Sequence, residues 1–186
     1  MGGAQRLLVD LVKGMDPSQV RPTLILSRKM GELLNQIPAE CPVIDLGRRR
    51  TADFPALVYR LAGLIRRERP DVLYSVMFHS NSLALAAARL SGVRVPVVIS
   101  EHNSIQHYER GPRWVRWLMR AIYPLATRCV AVSKGVGEDL VNHWGLDPAK
   151  VAVIHNPIDL SRIRRLASES VPDDPRLYRP VIVSAG

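Results

Sequence analysis

The chain has 186 residues, of which 47% are hydrophobic and 23% charged. That is the size and balance of one soluble domain with a buried core, and it excludes wholesale disorder. Basic residues number 26 against 17 acidic, a net charge of +9, and apart from Lys13, Lys29, Lys134 and Lys150 every basic residue is Arg. The guanidinium fork matches phosphate and carboxylate, so an anionic partner fits: nucleic acid, an anionic membrane surface or a phosphorylated small molecule.

In chain order, a helical pattern over residues 4–13 begins directly after Gly2 and Gly3. Strand-like runs follow at 20–27 and 43–46, then a helix at 55–68. From there strands at 71–76, 95–101, 128–133 and 151–155 alternate with helices at 82–90, 113–126 and 135–144. A run such as Val95-Pro-Val-Val-Ile-Ser100 reads as continuously apolar and indicates burial on both faces. The alternation predicts a doubly wound, Rossmann-like parallel α/β sheet. Residues 1–167 read as one such domain lacking its first strand, and 168–180, with Pro172, Pro175 and Pro180, as a linker. Residues 181–186 read as the first strand of a second domain, so the expectation is a fragment truncated at both ends.

Cys41 and Cys129 lack metal-ligand or CxxC spacing, which points to a reducing cytosol. No apolar run approaches the ~18–20 residues that span a bilayer, and the N-terminus lacks a signal peptide's hydrophobic stretch. No zinc motif, P-loop, GxGxxG or GxSxG elbow occurs, so neither a metal nor a nucleotide cofactor is expected.

In an open parallel sheet the ligand crevice lies at the carboxyl ends of the strands. Four polar clusters fall there: His79 with Asn81, Glu101-His102-Asn103, Ser133-Lys134, and Asn156. Gly2 and Gly3 would reach the same rim, where the N–H groups of a helix N-terminus bind phosphate. His102 is the strongest candidate for chemistry, because an imidazole can donate to a sugar hydroxyl or move a proton; the plainer alternative is a satisfied structural histidine. Ser133 is an N-cap as well as a candidate ligand.

The helix at 113–126 carries a second signal. Trp114, Trp117, Leu118, Ala121, Ile122 and Leu125 recur at helical spacing while Arg113, Arg116 and Arg120 share another face. One reading is a core-facing helix with a solvated basic side. The other is an interfacial helix, with Trp114 and Trp117 at the headgroups and Arg113, Arg116 and Arg120 on anionic lipid. Arg48 to Arg50, Arg60, Arg66 and Arg67 would extend that patch. Nucleic acid is disfavoured, since aromatics are only 5% of the chain and no recognition motif accompanies the charge.

Met1-Gly-Gly-Ala-Gln-Arg6 resembles the M-G-G-A-E-R turn of family 4 retaining glycosyltransferases of the GT-B fold. Arg69-Pro-Asp-Val-Leu73, Ser100-Glu-His-Asn103, Val130-Ala-Val-Ser133 and Val153-Ile-His-Asn-Pro-Ile-Asp159 resemble later landmarks of the same N-terminal domain, in the same order. Pro157 stands where many members have Gly. The resemblance implies two Rossmann-like domains facing across a cleft, with the acceptor on the N-terminal one and most of the nucleotide-sugar site on the other. It places Gly3 near the donor diphosphate and matches His102 to the family's active-site histidine. It also implies a polyprenyl-diphosphate-linked or other cell-envelope glycan as acceptor and a place at the inner face of the cytoplasmic membrane. Without its other half the fragment is expected to be inactive. The alternative function is a non-catalytic acceptor- or membrane-binding domain that works with a separate catalytic subunit.

Overall fold

A computed structural model of the chain describes residues 3–104 and 113–169. Helix α1 (Gly3–Gly14) leads to strands β1 (Leu24–Leu26) and β2 (Val43–Asp45) and then to helix α2 (Phe54–Glu68). Strand β3 (Leu73–Val76), helix α3 (Phe78–Ser91), strand β4 (Val97–Glu101) and helix α4 (Arg113–Ile122) follow. Strand β5 (Arg128–Ala131), helix α5 (Lys134–Asn142), strand β6 (Val151–Val153) and helix α6 (Leu160–Ala167) complete the order.

Each strand pairing is parallel: β1 with β2 in one small sheet, and β3-β4-β5-β6 in a second. This is the α/β architecture that the alternation predicts. Two compact units divide the chain at Asn156, ahead of the boundary at 167 expected from sequence. The first, Met1–Asn156, holds all the strands described, and the second, Pro157–Gly186, holds α6. Of the expected linker, residues 168 and 169 follow α6; residues 170–186, with the expected last strand, lie outside the described residues.

Several strands are shorter than expected, for a backbone reason. Pro22 precedes β1 and Pro96 precedes β4, and a proline has no N–H for a sheet ladder. Proline carbonyls still help the pairing: that of Pro96 accepts from the Leu73 N–H at 2.9 Å, and that of Pro42, ahead of β2, from the Leu24 N–H at 2.9 Å. Helix α2 carries Pro at its first turn and stops at Arg69, which is left-handed at φ 46° immediately before Pro70. Gly92, at φ 70°, closes α3, where a side chain would be strained.

The core lies between α2, α3, α4, α5 and the four-stranded sheet. Leu57, Leu61, Ala62 and Ile65 of α2 meet α3, whose Ala84 and Ala87 permit close approach. Helix α3 also packs on β3, β4 and α4, and is therefore buried around most of its circumference. Helix α4 inserts Val115 and Met119, followed by Tyr123 in the short 3-10 turn Tyr123–Leu125. Trp114 and Trp117 are turned outward instead, 57% and 72% exposed. The core-facing reading of the tryptophans is thereby corrected. The 115, 119, 123 spacing supplies the buried stripe, and the larger rings are left outside.

Helix α6 was not expected from sequence, because its run is only eight residues long and three of them are arginines. Leu160, Ile163 and Leu166 on it are about half exposed.

Ile99, at the middle of β4 and fully buried, tests where the core sits. Ile99→Ala should cost about 2–5 kcal/mol in urea unfolding, whereas Leu90→Ala, at an exposed position, should stay within about 0.5 kcal/mol.

Candidate active site

Strand β4 ends in Glu101, a carboxylate with no exposed surface. Burying such a charge is costly unless each oxygen is bonded. Glu101 Oε1 accepts the backbone N–H groups of His102 and Asn103 at 2.9 and 3.1 Å. Oε2 accepts the Tyr123 hydroxyl at 2.8 Å. The carboxylate therefore bends the chain sharply at the strand end and presents His102 and Asn103, both half-buried, at the rim.

His102 Nε2 lies 3.2 Å from the buried Ser100 hydroxyl. Burial pushes its pKa below the ordinary 6.5, while the Glu101 charge opposes that shift. At neutral pH the ring is uncharged, so it can donate from one nitrogen and accept at the other. Cys129, on the neighbouring strand and fully buried, reports the same field. Its thiol is pushed up to about 12, by burial first and by Glu101 second.

The next strand ends are laced to this one. The Met77 N–H donates to the Ser100 carbonyl at 3.0 Å, and the Val132 N–H to the Glu101 carbonyl at 3.3 Å. His155 Nδ1 donates to the Val132 carbonyl at 2.9 Å. Met77 itself sits at φ 72°, ψ 150°, a region that non-glycine residues rarely occupy. Its sulfur lies 4.0 Å from the Asn103 amide nitrogen.

Met77 also starts α3 earlier than the sequence suggests, and this corrects two assignments. His79 and Asn81 are in the first turn of a helix and not in a strand-end loop. His79 is exposed and stands edge-on to Phe78, with ring centroids 5.2 Å apart. Asn81 is wholly buried and lines no surface. It accepts from the Ser75 hydroxyl at 2.8 Å and donates to the Ser100 carbonyl at 3.0 Å and the Tyr123 oxygen at 3.3 Å. Glu101 likewise holds the site from behind and does not line it.

Ser133 is half-buried and caps α5, its oxygen accepting the Val136 N–H at 3.3 Å. Lys134 is exposed at the start of that helix and borders an open depression of about 310 Å³ with Glu138, Asn142, Val151 and Val153. Asn156 is exposed after β6. Gly3 is exposed at the start of α1, with nothing near an added Cβ, and Gly2 lies outside the described residues. Among the described residues, no group of three or more His, Cys, Asp or Glu is placed to hold a metal ion.

Of the expected lipid-facing residues, Arg113 and both tryptophans are exposed and Arg116 is half-buried. Arg120 is exposed as well; its Nε donates to the His143 carbonyl at 3.0 Å and its guanidinium lies 6.0 Å from the Trp144 ring, so it also ties α4 to α5. Arg60 is similarly engaged with the Leu46 and Gly47 carbonyls. The sequence reading missed Tyr123 as part of the site. A signal was present, since a Glu closing an apolar strand needs a buried donor and Tyr123 falls on the core stripe of its helix.

The model for Glycosyltransferase Family 4 matches residues 1–162. The chain belongs to glycosyltransferase family 4. A Campylobacter jejuni (subsp. jejuni serotype O:2, strain ATCC 700819 / NCTC 11168) relative is 28% identical over 138 residues, 72% of this chain and 36% of its own. It is named N-acetylgalactosamine-N,N'-diacetylbacillosaminyl-diphospho-undecaprenol 4-alpha-N-acetylgalactosaminyltransferase. Among solved structures, the lipopolysaccharide outer core galactosyltransferase WaaB in its apo form superposes with a TM-score of 0.66 at 15% identity, over 85% of this chain and 43% of that one. A glycosyltransferase from Rickettsia africae ESF-5 gives 0.61 at 15% identity, over 89% and 45%. The chain thus has the fold of these transferases and spans less than half the length of each.

The burial of His102 has a measurable consequence. Its imidazole should titrate below 6.5 when followed by proton NMR. Because the unfolded chain then binds the proton more readily, this ring's contribution should lower stability as the pH falls below 6.5, with no loss from it above that value.

Proposed function

We propose that the chain is the acceptor-side domain of a retaining transferase that moves a sugar from a nucleotide-sugar donor onto a polyprenyl-diphosphate-linked glycan. The observation that carries this reading is the family 4 match across residues 1–162, which includes a half-buried histidine at the carboxyl end of a parallel strand. The diphospho-undecaprenol in the Campylobacter relative's name supports the acceptor class.

Retaining transfer passes through an oxocarbenium-like state as the diphosphate departs, so catalysis depends on positioning and on stabilising that departing charge. His102 orients a donor or acceptor hydroxyl, with Asn103 beside it. Gly3 opens a helix whose first N–H groups lack helical partners, and it leaves room for a phosphate to approach them. His79 in the first turn of α3, Ser133 and Lys134 at the start of α5, and Asn156 after β6 remain acceptor-side candidates.

A lipid-linked acceptor brings the protein to a membrane surface. No helix among the described residues is long and apolar enough to cross one. The exposed Trp114 and Trp117, with Arg113 and Arg116 beside them, suit the headgroup region of an anionic leaflet, here the inner face of the cytoplasmic membrane.

Two experiments test these assignments on the protein expressed from its natural gene. His102→Ala should lower sugar transfer from labelled nucleotide sugars to undecaprenyl-diphosphate glycans by about 10²- to 10⁴-fold; unchanged turnover would remove His102 from the chemistry. Replacing both Trp114 and Trp117 with Ala should weaken co-sedimentation with anionic vesicles at least about tenfold, and salt should weaken the wild type. Binding indifferent to both would remove the interfacial role.

A further inference from the structure

Behind the active-site turn lies a polar cluster that packing alone does not require. Ser75, Asn81, Glu101 and Tyr123 come from β3, α3, β4 and the turn after α4, and all four are buried. A leucine at 81 or a phenylalanine at 123 would fill much the same space without a polar atom to satisfy. Buried polar networks of this kind seldom add stability over an apolar core, but they can fix one arrangement of the groups they join.

The geometry runs in one direction, toward the turn. Ser75 donates to Asn81, Asn81 donates to the Tyr123 oxygen, and the Tyr123 hydroxyl donates to Glu101 Oε2. The other oxygen of the same carboxylate holds the backbone at His102 and Asn103. The Asn81 amide also grips the Ser100 carbonyl, immediately before that carboxylate.

We propose that Tyr123 is a positioning residue for His102: its hydroxyl, oriented by Asn81, fixes the Glu101 carboxylate, and Glu101 fixes the backbone turn that presents the imidazole. The inference rests on the role given to His102 above. Its test uses no sugar transfer, so failure of one reading is separable from failure of the other.

The test is NMR on the 186-residue chain, comparing wild type, Tyr123→Phe, Glu101→Gln and the double variant. Two signals are read: amide hydrogen exchange at His102 and Asn103, and the titration midpoint of the His102 ring. In Tyr123→Phe the two amides should exchange about tenfold faster, with Ile99 and Cys129 in the adjacent strands unchanged. The His102 midpoint should move, because the burial of the ring and its distance from the Glu101 charge both depend on the turn. Glu101→Gln should lower the midpoint by removing that charge, and adding Tyr123→Phe to it should shift it no further, since Tyr123 acts through that side chain. A folded Tyr123→Phe with unchanged exchange, or with an unchanged midpoint, overturns the proposal. So does an equal Tyr123→Phe effect with and without Glu101→Gln, which would make the phenol a packing element. Should Tyr123→Phe fail to fold, Glu101→Gln carries the decision by itself: unchanged His102 and Asn103 exchange overturns the proposal, and faster exchange with a lower midpoint upholds it.

Discussion

A carboxylate without solvent is the constraint around which this domain is arranged. Glu101 ends a strand whose preceding residues are apolar or small, and a bare charge there would oppose folding by several kcal/mol. Its oxygens are satisfied by the two backbone N–H groups that follow it and by a phenol from the turn after α4. Those bonds decide where α4 must end and how the chain leaves the sheet. They also decide that His102 meets a field in which burial and a nearby negative charge pull in opposite directions, with burial prevailing.

Helix α4 shows how one short segment serves two environments. Val115 and Met119 anchor it in the core, Arg120 ties it to the carbonyl end of α5, and Trp114 and Trp117 face outward. The indoles have some support at their base, since the Trp114 ring lies 6.3 Å from Phe78. Phe78 in turn follows Met77, the strained residue whose sulfur faces Asn103. The apolar outer surface and the histidine turn are thus built on the same few residues.

Much of this was legible in the residues themselves. Strand positions followed from β-branched runs, although two starts expected at Val20 and Val95 fall beyond Pro22 and Pro96, which remove ladder donors. The place of Ser100 to Asn103 at a strand end was legible too. Other features could not be read so directly. Asn81 looked like a rim residue because the start of α3 depends on Met77 taking a conformation that no local propensity favours. Whether Trp114 and Trp117 face the core or the outside stayed open, because hydrophobicity and helical spacing do not say which of two apolar stripes faces inward. Tyr123 joined the site only through tertiary contact, across twenty-odd residues from Glu101. The short, arginine-rich α6 was hidden for the opposite reason, since its composition resembles a solvated loop.

The parallel arrangement of the strands has a kinetic side. Among the described strands no hairpin links two neighbours: Leu73 pairs with Val97, Val98 with Arg128, and Cys129 with Val151, each across an intervening helix or loop. Every ladder closes a long stretch of chain before it gains a hydrogen bond, so the sheet forms late and cooperatively rather than by local zippering. During synthesis the hydrophobic strand β4 emerges well before β5 can cover its edge. The nascent domain therefore passes through a stage in which this strand, buried in the finished fold and with the future histidine turn at its tip, is open to chaperones or to another chain.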